Sequence, residues 1–389
     1  MAYSAYCDTA IATKWWITGV GSTVNRLSEV MDDNASGVEE ADNPGNYQPW
    51  TTFMTEVIED VIYLIHVSFE LGNETTATTL LSTKEYVRFD DTMSFYQAAN
   101  SVFTLGELVA DFGLNGSYWS LSGADSTNLF TYGSEFNIYS SILECRSSTQ
   151  YIYSATSVKV RNSIFRHVSG TIDNYRNRHR FQTAPDIKGL FYENAQSLYL
   201  ANDPINFENV IIHNCYYGVQ PINVNLNLTG LRFENIGYEE IYDATTLSDK
   251  TIHIIDPYYN LTSVRISRIT CTIDEQYTCN ITVRNNTGTL LDGVEVLCED
   301  EADATVWTTT TGDTDTGKID EQVITYKMWT GTSETLTEYS PHKFTFSKAG
   351  YETLILENIT VDHPIVWELK LKGVTRFKED GVTYFKDDS

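Results

Sequence analysis

Basic residues are scarce in this chain. Its 389 residues hold 26 Lys and Arg against 53 Asp and Glu, a formal net charge of −27. Binding to nucleic acid or to an anionic membrane draws on clustered Lys and Arg, so neither partner is expected. Long apolar runs are missing as well. None approaches the roughly 18 residues of a membrane span, which excludes insertion through a helix. The start, "MAYSAYCDTAIATKWWITG", has no basic region ahead of an apolar stretch, so no secretory signal is expected. Cysteine numbers only 6, without Cys-x-x-Cys or His/Cys spacing. That excludes a disulfide scaffold and a zinc site, and neither a metal nor another cofactor is expected. Cys271, Cys279 and Cys298 fall close together, where one pair could be bridged in an oxidising place. Also missing are stretches of about 10–15 residues with apolar spacing of three and four, which excludes helical repeats.

What is there is a phrase written four times: "VRNSIFRHV" from Val160, "IKGLFYENA" from Ile187, "FENVIIHNC" from Phe207 and "LTGLRFENI" from Leu228. Each runs apolar, polar, Asn or Gly, then mostly apolar residues, a polar one, Asn or His, and a small or apolar close. The starts lie 27, 20 and 21 positions apart, and a weaker copy, "IYSSILECR", begins at Ile138. Periods of this length mean stacked coils. The copies are short, rich in β-branched and aromatic residues, and broken by Asn or Gly, as strands with tight turns are. Stacked as parallel strands about 4.8 Å apart, they put Val160, Ile187, Phe207 and Leu228 in one inward column and Phe165, Tyr192, Ile212 and Phe233 in another. Cys215 closes its phrase inward as a small buried hydrophobe. Asn194, Asn214 and Asn235 form a ladder at a turn, since Asn tolerates left-handed backbone and its amide can bond to the next coil.

In this pattern the chain resembles the right-handed parallel β-helix of the pectate-lyase-like superfamily, over 110–262 and, less regularly, from 61. From about Val264 the period changes to alternating strands. "NNTGTLLDGVEV", "DTDTG" and "KFTFSKAGYET" resemble the carboxypeptidase-regulatory-like, immunoglobulin-like β-sandwich over 272–372. The expected fold is therefore all-β: a right-handed parallel β-helix with a C-terminal immunoglobulin-like β-sandwich. The expected divisions are an N-terminal arm and cap over 1–60, the β-helix over 61–262, the sandwich over 263–372 and a tail over 373–389, with a hairpin around Glu379, Asp380 and Gly381. Trp15 and Trp16 in the arm serve either as an anchor to a partner or as a plug for the open coil end. Residues 51–72 read either as a capping helix or as a first strand. Asp313 and Asp315 read as a tight turn, since the rest of a Ca²⁺ loop is missing.

Candidate chemistry lies on the outward columns. The seventh residues of the phrases read Arg166, Glu193, His213 and Glu234. Glu193 and Glu234 would lie two coils apart, about 9–10 Å, with His213 between them, a span suited to a glycoside hydrolase. Alternating outward charges also make an ordinary surface ladder. The loop "TIDNYRNRHRFQ" gathers Tyr175, Arg176, Arg178, His179 and Arg180, which suits an acidic glycan or acidic partner chain, or pairs with the protein's own carboxylates. The fifth residues, Ile164, Phe191 and Ile211, point outward and call for a cover, so a subunit interface is expected there. The resemblance implies homotrimers, as among virus spikes of this fold. These features together lead to a non-enzymatic virion surface protein, a tail spike, fibre or capsid decoration. Its partners would be other virion proteins and a host-surface polysaccharide. A polysaccharide-degrading spike and a cellular surface adhesin stand as alternatives. Eight Asn-x-Ser/Thr sites occur, starting at Asn34 and Asn73, and without export they need no glycan.

Overall fold

The structure is a computed structural model. It describes all residues except 1–2, 9–13, 20–25, 74, 91–92, 94, 108–115, 122–128, 132–134, 146–149, 153–156, 168–177, 223, 244–248, 380–381 and 387–389, and gives the backbone alone of 129–131, 150–152, 178, 375–379 and 382–386. The chain is nearly all β and divides into two compact units, 1–251 with 262–271, and 252–261 with 272–389.

The first unit is a β-solenoid of about seven turns, a parallel β-helix. Its longest ladder carries the repeated phrases. Ser157–His167, Pro185–Glu193, Asn206–His213 and Leu231–Glu234 pair in parallel, each with the next. Ile142–Cys145, Tyr118–Leu121, Tyr86–Phe89 and Ile62–Ile65 continue the same ladder toward the N-terminus. A second parallel ladder runs from Gln150–Ile152 through Arg178–Phe181, Ser197–Leu200, Val219–Pro221 and Ile241–Asp243 to Val264–Ile266. Each coil thus visits one ladder and then another, and one short strand per visit suffices.

Two left-handed positions shape the coil. Asn162, Gly189, Asn209 and Gly230, the third residues of the phrases, have φ of 47°, 73°, 53° and 64°. Their positive φ resets the in–out alternation, so the first and fourth residues of a phrase both face inward. Val160, Ile187 and Phe207 are buried, and so are Ser163, Leu190 and Val210. A Cβ on Gly189 would stand 2.5 Å from Asn162 Oδ1, so this coil takes glycine. At the other end of the phrase Asn194, Asn214 and Asn235 have φ of 56°, 53° and 54°. Asn214 Nδ2 donates to Asn194 Oδ1 at 2.7 Å and Asn235 Nδ2 to Asn214 Oδ1 at 2.8 Å. This is the ladder the sequence called for. Phe165, Tyr192 and Ile212 stack inside, while Phe233 on the last coil is half-buried.

The N-terminal segment is not an arm. Ser4–Cys7 pairs antiparallel with Lys14–Thr18, which pairs in parallel with Ser68–Leu71. Trp15 is fully buried, its ring 4.4 Å from Phe69 and its indole N–H donated to the Val67 carbonyl at 3.2 Å. It plugs the coil end, which corrects its reading as an anchor. Trp16 is half-buried, 6.0 Å from the Tyr6 ring. A helix forms at Leu27–Asp33, whereas 54–71 is three strands, Met54–Ile58, Ile62–Ile65 and Ser68–Leu71. β-Branched and aromatic residues outweighed the helical spacing there.

The second unit stacks two sheets. Thr272–Asn285 pairs antiparallel with Gln322–Thr330 and in parallel with Ile365–Leu371. Glu295–Glu299 lies between Thr305–Thr310 and His342–Ser347, both antiparallel. Tyr277, Ile281, Val296, Ile324, Phe344 and Phe346 fill the core. All six cysteines of the chain are buried free thiols, so none of Cys271, Cys279 and Cys298 is bridged. Asp315 takes the Lys318 ammonium at 3.1 Å within its turn. Thr375–Glu379 pairs with Val382–Lys386 as a terminal hairpin. No helix among the described residues is long and apolar enough to cross a membrane.

Candidate functional site

Strand register places two parallel columns on the outer face of the long ladder. Ile62, Tyr86, Tyr118, Ile142, Ile164, Phe191 and Ile211 stand one above the next, ending at Arg232. The six spacings of about 4.8 Å from Ile62 to Ile211 make an apolar stripe roughly 29 Å long. Its members are half-buried, and Val57, Ile58 and Val61 beside its first coil are exposed. The sequence named only Ile164, Phe191 and Ile211. The upper part escaped notice because its coils lack the Asn positions that mark the phrase.

Beside the stripe runs a polar column, Arg88, Ser120, Glu144, Arg166, Glu193, His213 and Glu234. Glu144 and Arg166 pair at 2.8 Å. Burial raises the Glu144 carboxyl, but hydrogen bonds from Tyr118, Ser120 and Arg166 outweigh it and hold the group below the usual carboxylate range. The Arg166 guanidinium also covers the Tyr118 ring, 5.4 Å from its centroid. His213 Nδ1 lies 3.9 Å from Glu193 Oε2, and its ring stacks on Phe191 at 5.7 Å. Glu234 accepts from Arg232 at 2.5 Å. Register therefore brings Glu193, His213 and Glu234 together as the sequence placed them, and each of the two carboxylates has a basic neighbour. In the column Arg166 thus stands between Glu144 and Glu193, and His213 between Glu193 and Glu234.

Tyr175 and Arg176 lie outside the described residues, and Arg178 is described by backbone alone. His179 is fully buried, its Nε2 3.2 Å from Cys145 Sγ and its ring 4.8 Å from that of His167. This corrects its reading as a binding residue: strand alternation turns it inward between Arg178 and Arg180. Burial holds both imidazoles neutral, pushing His167 down to about 3 and His179 well below its ordinary value. Arg180 is half-buried, its guanidinium 5.1 Å from the Tyr199 ring centroid.

Two features went unread in the sequence. Tyr216 and Tyr238, two and three residues after ladder asparagines, touch across coils with ring centroids 4.2 Å apart and planes tilted by 39°, and Tyr238 is 58% exposed. They follow the ladder asparagines Asn214 and Asn235, which end the strands carrying His213 and Glu234. The second is Glu85, fully enclosed beneath a groove of about 370 Å³ lined by Tyr86, Tyr118, Lys84 and Ser140. Its carboxyl accepts from the Leu27 amide at 2.8 Å and the Ser82 hydroxyl at 2.6 Å. Burial pushes it up to about 7, more than those bonds pull it down.

No protein-family profile, curated protein or solved structure matches this chain.

Proposed function

We propose that this chain is a structural protein of a virus-particle surface, a tail spike, fibre or capsid decoration, that assembles with copies of itself through one face of its β-helix. The outward apolar stripe from Ile62 to Ile211 carries the reading. A soluble surface rarely leaves so long an apolar line uncovered, and a second copy brings the same line to it. Closed symmetry then favours a small ring of copies, for which a trimer is the expected form. The β-helix, of the pectate-lyase-like kind, is the shaft, and the second unit, an immunoglobulin-like sandwich, is a displayed adhesion or spacer module.

Host-surface polysaccharide is the outer partner. The Tyr216 and Tyr238 faces offer stacking surface to sugar rings, and the neighbouring amides and carboxylates offer hydrogen bonds to hydroxyls. We take this ridge of Tyr216, Tyr238 and the ladder amides as a further place of attachment beside the basic loop around Arg180. The test is binding of full-length protein to a broad set of bacterial and algal surface polysaccharides. Tyr238→Ala is expected to weaken capture about tenfold, the loss of one stacking contact. Unchanged capture would remove the ridge from the reading.

A glycoside hydrolase is the second reading, favoured by the register that sets Glu193 and Glu234 two coils apart with His213 between. Release of oligosaccharides, abolished in Glu193→Gln, would establish it. Binding without cleavage is the expected result.

A further inference from the structure

We infer that Asp243 and Lys250 become joined by an amide bond between their side chains. This inference is independent of how the protein assembles or what it attaches to.

Lys250 Nζ lies 2.6 Å from Asp243 Oδ1, and both side chains are 0% exposed. Asp243 closes the strand Ile241–Asp243, whose pairing with Val264–Ile266 sets it opposite buried Ile266. Its main-chain carbonyl accepts from the Ser267 hydroxyl, so the backbone beneath the carboxylate is fixed on both sides. Cys271, 1% exposed, completes the cluster. Burial pushes its thiol up, and the Asp243 carboxylate it bonds to adds to that, so it stands as S–H.

A fully enclosed ion pair is a costly way to fill a protein interior. Condensation removes both charges and leaves a neutral amide. The ammonium first hands one proton to the carboxylate. The Nζ lone pair then adds to Cγ, forming the N–C bond, and one Cγ–O bond breaks. That oxygen leaves as water with two of the three hydrogens that began on Nζ, and the third stays on the amide nitrogen. No electrons are gained or lost, so no oxidant or further reactant is needed. The enclosure holds amine and carboxyl in contact, which supplies the orientation such a step requires, and the Cys271 S–H can donate to the carboxyl oxygen as charge builds on it.

The experiment is a tryptic digest of the full-length, denatured protein, read by mass spectrometry. A bridged Lys250 resists trypsin, so 233–250 and 251–265 are expected to stay joined as one peptide, lighter than its sequence by one water. Lys250→Arg is expected to give cleavage at position 250 and full sequence mass, and Asp243→Ala full mass with cleavage at Lys250. Cleavage after Lys250 in the wild-type protein, with both peptides at full mass, would overturn the inference. So would loss of water from a peptide still cut at Lys250, because the dehydration would then lie elsewhere. The wild-type digest decides the matter even if a variant fails to fold.

Discussion

At Asn214 one side chain does three things: it holds left-handed backbone, donates to the amide below and accepts from the amide above. Asn214→Ala removes both amide bonds and puts a residue that tolerates left-handed backbone less well than Asn at this position, for a combined cost of about 2–4 kcal/mol. Thermal or denaturant unfolding measures it, and Asn214→Gly is expected to recover the backbone share alone. Titratable residues in the interior act in opposite directions. Glu85 has its folded value raised to about 7 from 4.5. Its contribution is therefore fully present below about pH 4.5 and lost as pH rises through 7, a loss of roughly 3 kcal/mol. Glu85→Gln should be more stable than wild type at pH 8 and lose that advantage near pH 4.5. His167 works the other way. Its folded value of about 3 lies below 6.5, so the unfolded chain binds the extra proton, and stability falls from pH 6.5 down toward 3. His167→Leu should unfold at a lower pH than wild type; equal acid midpoints would contradict this. Residue types told much of this story. Asn at a fixed offset gave the left-handed ladder position, while the second one at the third residue of the phrase, and the burial of Glu85 and His179, were unreadable, because they depend on how the chain packs over them rather than on local pattern.

At the scale of one coil, the nine-residue phrase turns its first, fourth and sixth residues inward and its fifth and seventh outward. That rule put Glu193, His213 and Glu234 in one outer column from sequence alone, and strand pairing has them in register. It failed where the phrase degrades. In the early coils the asparagines give way to other turn residues, such as Lys84 and Ser140 at φ of 59° and 47°, so Tyr86, Tyr118 and Ile142 went unrecognised as stripe members. It failed also at 1–60, where pairing with Ser68–Leu71 draws Lys14–Thr18 into the sheet. No local signal announces a partner so distant in sequence. The same column yields a stability test. Glu144 keeps only 3% of its side chain exposed and rests on Arg166. Arg166→Ala leaves that carboxylate enclosed without its guanidinium, and the expected loss is about 3 kcal/mol, larger than for Lys188→Ala, whose partner Glu208 is 45% exposed. Equal losses in denaturant melts would contradict the assignment.

For the whole molecule, the change of period near Val264 falls within an interleaved exchange between the two units: 252–261 belongs with the second unit and 262–271 returns to the first. Assembly is the claim on which the functional account rests. Phe191→Glu and Ile211→Glu place charge on the last two coils of the stripe without touching the interior column, so each should keep a β-rich circular dichroism spectrum while losing self-association. The most direct measurement is the native mass of the full-length chain by light scattering during gel filtration. A stable species near three times the 44.0 kDa chain is the predicted result, with both variants eluting as single chains. A wild-type protein that remains a single chain at high concentration would contradict the account and return the stripe to an uncovered surface.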